Sequence, residues 1–262
     1  MENRERVEEE LQEEEIELEE EEECEEEGEA SSISSGFVEH FASAVKNLLE
    51  LLSSGRKLRE PYTIRVTEAI SCLRKSYLNI VHGVEKDNLY MSIGRYMHMK
   101  AIEVLREELS KIGQVDVEPR ITEPIFPDAT SVVYRLWNLL AEPDLVVRTY
   151  DGKIHVIELK FTFTNRLGTE NVLRYRMQVG TYVKMLNADA GHVLVIKNSL
   201  EVKHIVVTRR EAEEYHRKVM ERARKLAKAI IEENIPEPEQ GIDCKTCPHK
   251  TFCNFRIGTA SS

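Results

Sequence analysis

Apolar residues recur at helical spacing from Phe37 to Leu52, at Phe37, Phe41, Val45, Leu48, Leu49 and Leu52, and Ser53-Ser54-Gly55 ends the run. Thr67 reads as the N-cap of a second helix carrying Ile70, Cys72, Leu73 and Tyr77. A third predicted helix runs from Ser92 to Leu109 through Gly94, His98, Ile102 and Leu105. The pattern then shortens to strands. One is expected at Ser131 to Leu136, and a hairpin follows: apolar Leu145 to Val147, a turn at Asp151-Gly152, then Ile154 to Leu159. Asn171 to Leu186 returns to helical spacing, with Val172, Tyr175, Val179, Val183 and Leu186 on its apolar side. Strands at Gly191 to Ile196 and Val202 to Thr208 precede a long helix, Arg210 to Glu233, that breaks before Pro236. The last 25 residues are irregular, and no internal repeat is present. Helices, a mixed sheet interrupted by a helix, and a terminal helix predict an α/β domain.

Composition sharpens this picture once the charge is divided. The 262 residues suit one sizeable domain with appendages and carry a net charge of −11. Residues 1–30 alone hold 18 Glu against 2 Arg, so the rest carries 34 basic and 29 acidic residues, a balance of +5. A mildly basic body permits a polyanionic substrate. Residues 1–35, nearly all Glu and Ser, cannot bury enough apolar surface to order themselves, and their glutamates repel at i,i+4. This tail reads first as a solubilising segment and second as a nucleic-acid mimic, with Cys24 a free thiol inside it. No apolar stretch approaches the roughly 18 residues that span a bilayer, and the acidic start is unlike a signal peptide. A soluble, cytoplasmic protein without membrane partners is expected, and its five cysteines read as metal ligands or buried hydrophobes before disulfides.

Alternation along the second hairpin strand puts Glu158 and Lys160 on one face and Leu159 on the other. Asp144, at the start of the first strand, can lie beside them at the same end. Phosphodiester hydrolysis needs charge neutralised on the phosphate and hydroxide made at neutral pH, and a hard divalent cation with oxygen ligands does both. Asp144 and Glu158 offer carboxylates, and the Leu159 carbonyl can add a third oxygen. Lys160 could hold or deprotonate the attacking water. The bland alternative is a pair of ordinary solvent-facing strand residues, because the spacing is common by chance. Two further pieces favour the chemistry. Gly94-x3-His98 brings an imidazole on the upstream helix, and Gln178-x3-Tyr182 stacks two polar side chains on one helical face.

A separate constellation closes the chain. Cys244-x2-Cys247-Pro248-x4-Cys253 supplies three thiolates, and Cys72, 172 residues before Cys244, is the natural fourth. The spacing fits zinc and iron–sulfur equally. Joining them would close a very long loop.

In their order, Gly-x3-His, Pro143-Asp144, Glu158-x-Lys160 and Gln-x3-Tyr resemble the RecB-like branch of the PD-(D/E)xK nuclease superfamily, over roughly residues 62–257. The resemblance implies a restriction-endonuclease-like α/β core: a central mixed sheet flanked by helices. A disordered tail (1–35) would precede a nuclease domain with N-terminal helices (36–236) and a cysteine-rich segment (237–262) completed by Cys72. By similarity, His98, Asp144, Glu158 and the Leu159 carbonyl would bind Mg²⁺ or Mn²⁺, Lys160 would be the catalytic lysine, and Gln178 and Tyr182 would orient DNA and that lysine. Arg174, Arg176 and Lys184 are candidates for phosphate contacts. One cysteine before these motifs and three after them is similar to the iron–sulfur members of the branch: AddB-type nuclease domains and the CRISPR-associated family called Cas-four. The compact length and the segment Thr67 to Leu78, with Cys72-Leu73-Arg74-Lys75 and Tyr77-Leu78, favour the latter. A [4Fe–4S] cluster on Cys72, Cys244, Cys247 and Cys253 is then implied, as are single-strand exonuclease and endonuclease activity and trimming of DNA for a CRISPR integrase complex. An oligomer is compatible with this. Leu73 stands where that family often has proline, and the acidic tail is foreign to it. The alternatives are a stand-alone repair nuclease of the same branch and a catalytically silent DNA-binding scaffold.

Overall fold

Gly152, at φ +84°, lets the chain reverse between two apolar runs, and Thr149 and Lys153 close the turn by a backbone hydrogen bond of 2.9 Å. This is the predicted hairpin. The computed structural model describes residues 43, 59–83, 89–162, 167–197, 199–241, 244, 247–250 and 253, with side chains of 89–92 left aside. The chain divides into two units, residues 1–54 and 55–262, and the strands and helices named here lie in the second. The acidic tail, Cys24 and, Ser43 apart, the helix expected over residues 37–52 fall outside the described residues.

Chain order is β1 (Thr63–Arg65), α1 (Val66–Ile70), α2 (Leu73–His82), α3 (Leu89–Leu109), β2 (Gly113–Val117), β3 (Ile121–Pro124), α4 (Val132–Arg135), β4 (Asn138–Ala141), β5 (Leu145–Thr149), β6 (Ile154–Thr162), α5 (Thr169–Met185), β7 (Ala190–Lys197), β8 (Val202–Thr208) and α6 (Arg209–Ile231). Among the described residues two sheets form: β1-β4-β3, and the mixed five-stranded sheet β2-β5-β6-β7-β8, in which only β6 and β7 run parallel. The parallel pair requires a crossover, and α5 is that crossover.

Both faces of the large sheet are covered. On one, Val156, Val193 and Val195 pack into a core shared with Val179 and Val183 of α5 and Val219, Ala223 and Leu226 of α6. On the other, Ile102 of α3 meets Leu145, Val147, Ile157 and Leu159. The period-two alternation of β6 therefore sends Glu158 toward α5 and Leu159 toward α3, as expected.

Two expectations fail. Residues 131–136 form the single helical turn α4 in place of a strand, and the strand begins at Asn138. Val132 and Val133 stay exposed, whereas Tyr134 packs edge-on against Phe126 at 5.0 Å and donates to Glu232 at 3.0 Å. Tertiary contact overrides β-branched propensity there. The helix expected from Thr67 is two helices, broken at Ser71-Cys72, with Cys72 at the N-cap of α2 and not inside a helix. Its start also lies earlier, where Arg65 N–H donates to Glu68 at 2.8 Å.

Candidate active site

β5 pairs with β6 only as far as Leu145 opposite Ile157, so the β5-facing edge of β6 opens from residue 158 onward. Asp144, one residue before β5, fills the first vacant rung. Its Oδ2 accepts the Leu159 N–H at 2.6 Å. Strand geometry sends a residue's N–H and C=O to the same edge, so the Leu159 carbonyl also faces this opening. The segment carrying Asp144 crosses from the small sheet to the large one and is fixed at several points. Glu118 N–H donates to the Asp144 carbonyl at 3.0 Å, and Glu142 pairs with Arg65 and Arg120 at 3.5 and 3.2 Å. From α3, His98 Nε2 reaches the same Asp144 Oδ2 at 2.9 Å, with its ring edge-on to Phe161.

The other half of the site comes from α5. Glu158 Oε1 accepts from Lys160 Nζ and from Gln178 Nε2, both at 2.7 Å. Gln178 Nε2 also donates to the Tyr182 hydroxyl at 2.9 Å, so the i,i+4 pair acts as one unit against the strand. Tyr175, one turn earlier, lays its ring 5.8 Å from Lys160 Nζ, in cation–π range. Helical spacing puts Tyr175 among the apolar positions of α5, and no signal in the sequence marks it as a site residue. Arg176 and Lys184 instead pair with Glu211 and Glu213 of α6 at 2.8 and 2.6 Å, which turns them from the site. Arg174 pairs with Glu170 at 3.1 Å and lines a groove beside Cys72 and Cys244.

Asp144, Glu158, Gln178 and Tyr182 are each at most 7% exposed. Burial pushes the Glu158 carboxyl up to about 7 against the pull of Lys160, and Asp144 adds to the rise. Burial alone would depress Lys160, but Glu158 and Asp144 hold its ammonium above the usual range. Burial would likewise lower His98, and the Asp144 hydrogen bond and charge reverse the sign. Tyr182 is held well above 10, first by burial and then by Glu158, so it stays a neutral phenol. Among the described residues, Glu158 Oε2 is buried without a hydrogen-bond partner. An orphaned carboxylate oxygen with a second carboxylate, an imidazole and a carbonyl at the same strand edge is a donor set that suits a hard divalent cation.

The four cysteines come together at a second place. Cys72, Cys244, Cys247 and Cys253 line one cavity with Arg74, Lys75, Leu78 and Glu239. Gly241 N–H donates to Cys244 Sγ at 3.3 Å. Burial pushes the Cys247 thiol up, and neighbouring Cys72 and Cys253 add to it against a backbone hydrogen bond and Lys75. Four cysteine sulfurs lining one cavity are the donor chemistry of a thiophilic metal centre, although among the described residues no group of three or more His, Cys, Asp or Glu side chains is arranged to hold an ion.

Fold and site thus describe an α/β protein whose acids, imidazole and lysine meet where two strands of a mixed sheet part. Comparison gives the family: the PD-(D/E)XK nuclease superfamily matches residues 2–254, and the chain belongs to it. No curated protein sequence matches the chain. Among solved structures, SSO0001 shares the fold at a TM-score of 0.60 and 19% identity, over 82% of this chain and 98% of that one. An alkaline exonuclease (LHK-Exo) from Laribacter hongkongensis matches at a TM-score of 0.43 and 14% identity, over 65% and 90% of the two chains. A phage related exonuclease from Haemophilus somnus 129PT matches at 0.43 and 12%, over 65% and 96%.

Proposed function

We propose that the protein is a Mg²⁺- or Mn²⁺-dependent deoxyribonuclease acting mainly on single-stranded DNA. The observation that carries this is Glu158: one carboxylate oxygen is clamped by Lys160 and Gln178, and the other is buried and free beside Asp144. Asp144, Glu158, His98 and the Leu159 carbonyl would hold the cation. When bound, a hard divalent cation neutralises phosphate charge and acidifies water. Lys160, kept protonated by Glu158, offsets charge developing on the phosphate and orients the attacking water. Gln178 fixes the Glu158 rotamer, and Tyr182 fixes Gln178.

Labelled single-stranded DNA with Mn²⁺ tests the reading. Glu158→Ala and Lys160→Ala should each cut the rate on the order of 10²-fold or more. Undiminished cleavage by both would assign the activity to another site or to a contaminant.

The finer reading is a member of the Cas-four family with a [4Fe–4S] cluster on Cys72, Cys244, Cys247 and Cys253, trimming DNA before an integrase inserts it as a spacer. The cavity shared by the four thiols supports the cluster, and the motif order supports the family. Anaerobically purified protein should be brown and Cys247→Ala colourless; a colourless, zinc-loaded native protein would overturn the cluster. Trimming of the single-stranded ends of integrase-bound DNA separates spacer processing from repair.

A further inference from the structure

The helix predicted through Cys72 is broken there, and the break has a cause 150 residues away. Arg222, on α6 between the buried Val219 and Ala223, reaches into the junction of α1 and α2. Its Nε donates to the Ala69 carbonyl and its Nη2 to the Ser71 carbonyl, both at 2.6 Å. These are carbonyls at the end of α1, of the kind that helix termini leave without intrahelical partners. The same guanidinium holds Glu239 in a fork, Nη1 to Oε1 at 2.9 Å and Nη2 to Oε2 at 2.7 Å. Glu239 Oε2 in turn accepts the Leu73 N–H at 3.0 Å, the first orphan donor of α2. Cys72 sits at that N-cap without a side-chain capping bond, so Glu239 supplies the cap that Cys72 lacks.

The consequence lies on both sides of Glu239. Upstream, the ends of α1 and α2 are satisfied by one ion pair, which leaves Cys72 Sγ with no capping duty. Downstream, the Glu239 carbonyl lies 3.7 Å from Cys244 Sγ, and the Gly241 amide donates to that same sulfur. One residue therefore joins the helix that bears Cys72 to the loop that bears Cys244. Arg222 ties both to the core helix. Arg222 is about a quarter exposed and Glu239 about a third, and the pair draws the Glu239 carboxyl below its usual range against the cost of burial.

We propose that Arg222 and Glu239 are positioning residues that hold Cys72 against Cys244, Cys247 and Cys253 before any cluster is bound. The inference rests on reading those four thiols as an iron–sulfur site. The clasp makes the site partly pre-organised: the four cysteines line one cavity with Cys72 and Cys244 tied together through Glu239, and binding a metal needs only local closure of the sulfurs.

The test uses the full-length chain with Cys24→Ser, stripped of metal and reduced. Dibromobimane, which bridges neighbouring thiols, should link Cys72 to a C-terminal cysteine, mapped by peptide mass. Arg222→Ala and Glu239→Ala should each lower that cross-link on the order of tenfold, through loss of effective concentration. The double variant should lose no more than either single one, because the two side chains act as one unit. After anaerobic reconstitution, the same variants should bleach faster in air at 400 nm-region absorbance while their helical circular dichroism stays native. Unchanged cross-linking in both folded variants overturns the proposal. If either truncation unfolds the chain, Glu239→Gln keeps an acceptor for Leu73 and removes only the charge; a reduced cross-link in it supports the clasp, and a native one overturns it. A native chain that cross-links in a clasp-dependent way but takes up no iron sinks the cluster and leaves the clasp standing.

Discussion

Gln178 has two jobs at one nitrogen, and the two can be separated. Its Nε2 donates to Glu158 Oε1 and to the Tyr182 hydroxyl. Gln178→Leu frees Glu158 to rotate and buries an unpaired phenol, so Mn²⁺ affinity and turnover should each fall about 10–100-fold. Tyr182→Phe removes only an acceptor from Gln178, which keeps Glu158, so its loss should be the smaller of the two. Metal titration followed by single-turnover cleavage orders the variants; a Tyr182→Phe defect exceeding that of Gln178→Leu contradicts the arrangement. At this scale much was legible. His98, Asp144, Glu158, Lys160, Gln178 and Tyr182 meet as the motif order implied, because each motif is local to one element. Tyr175 was not legible as a site residue, because its partner Lys160 arrives from a different strand and helical spacing alone marks an aromatic as core. Glu239 was invisible for the same reason at longer range.

The elements set tighter limits than the motifs do. A Cβ added at Gly191 would lie 2.2 and 2.7 Å from methyl carbons of Val179 and Val183, so β7 and α5 pack only because that position is bare. Gly191→Ala should destabilise by about 1–3 kcal/mol and lower activity, since α5 carries Gln178. Gly94→Ala meets nothing within 4 Å on α3 and should gain about 0.5–1 kcal/mol in chemical melts. Across β6, β7 and β8, His155, His192 and His204 stand in a row with 3.0 Å contacts between ring nitrogens. Burial, then the charges of His155 and His204, depress His192 to about 4. The unfolded chain binds more protons between that value and the ordinary 6.5, so stability is full above 6.5 and drains away as pH falls toward 4. Thermal melts from pH 7 to 4 should show this slope, and His192→Leu should flatten it; an unchanged slope would refute the assignment. The hairpin, α5, β7, β8 and α6 were readable because turn chemistry and periodicity agreed. Residues 131–136 and the break at Cys72 were not, since packing by Tyr134 and a guanidinium from α6 decide them.

For the molecule as a whole, charge is divided as unevenly as chemistry. Deleting residues 1–30 takes the formal charge from −11 to +5. Long-range repulsion of DNA then becomes weak attraction, so binding at low salt should tighten and its salt dependence steepen. Fluorescence anisotropy over a salt series measures both; equal curves would assign the tail to solubility alone. The clasp adds an order in time. During synthesis the junction of α1 and α2 leaves the ribosome long before Glu239 does, and at roughly 5–20 residues per second the wait lasts on the order of ten seconds or more. Until then α2 lacks its cap and Cys72 its partners. A nascent chain can thus complete its large sheet and still present a lone thiol, so the cysteine cavity forms only after the sheet that carries the acids.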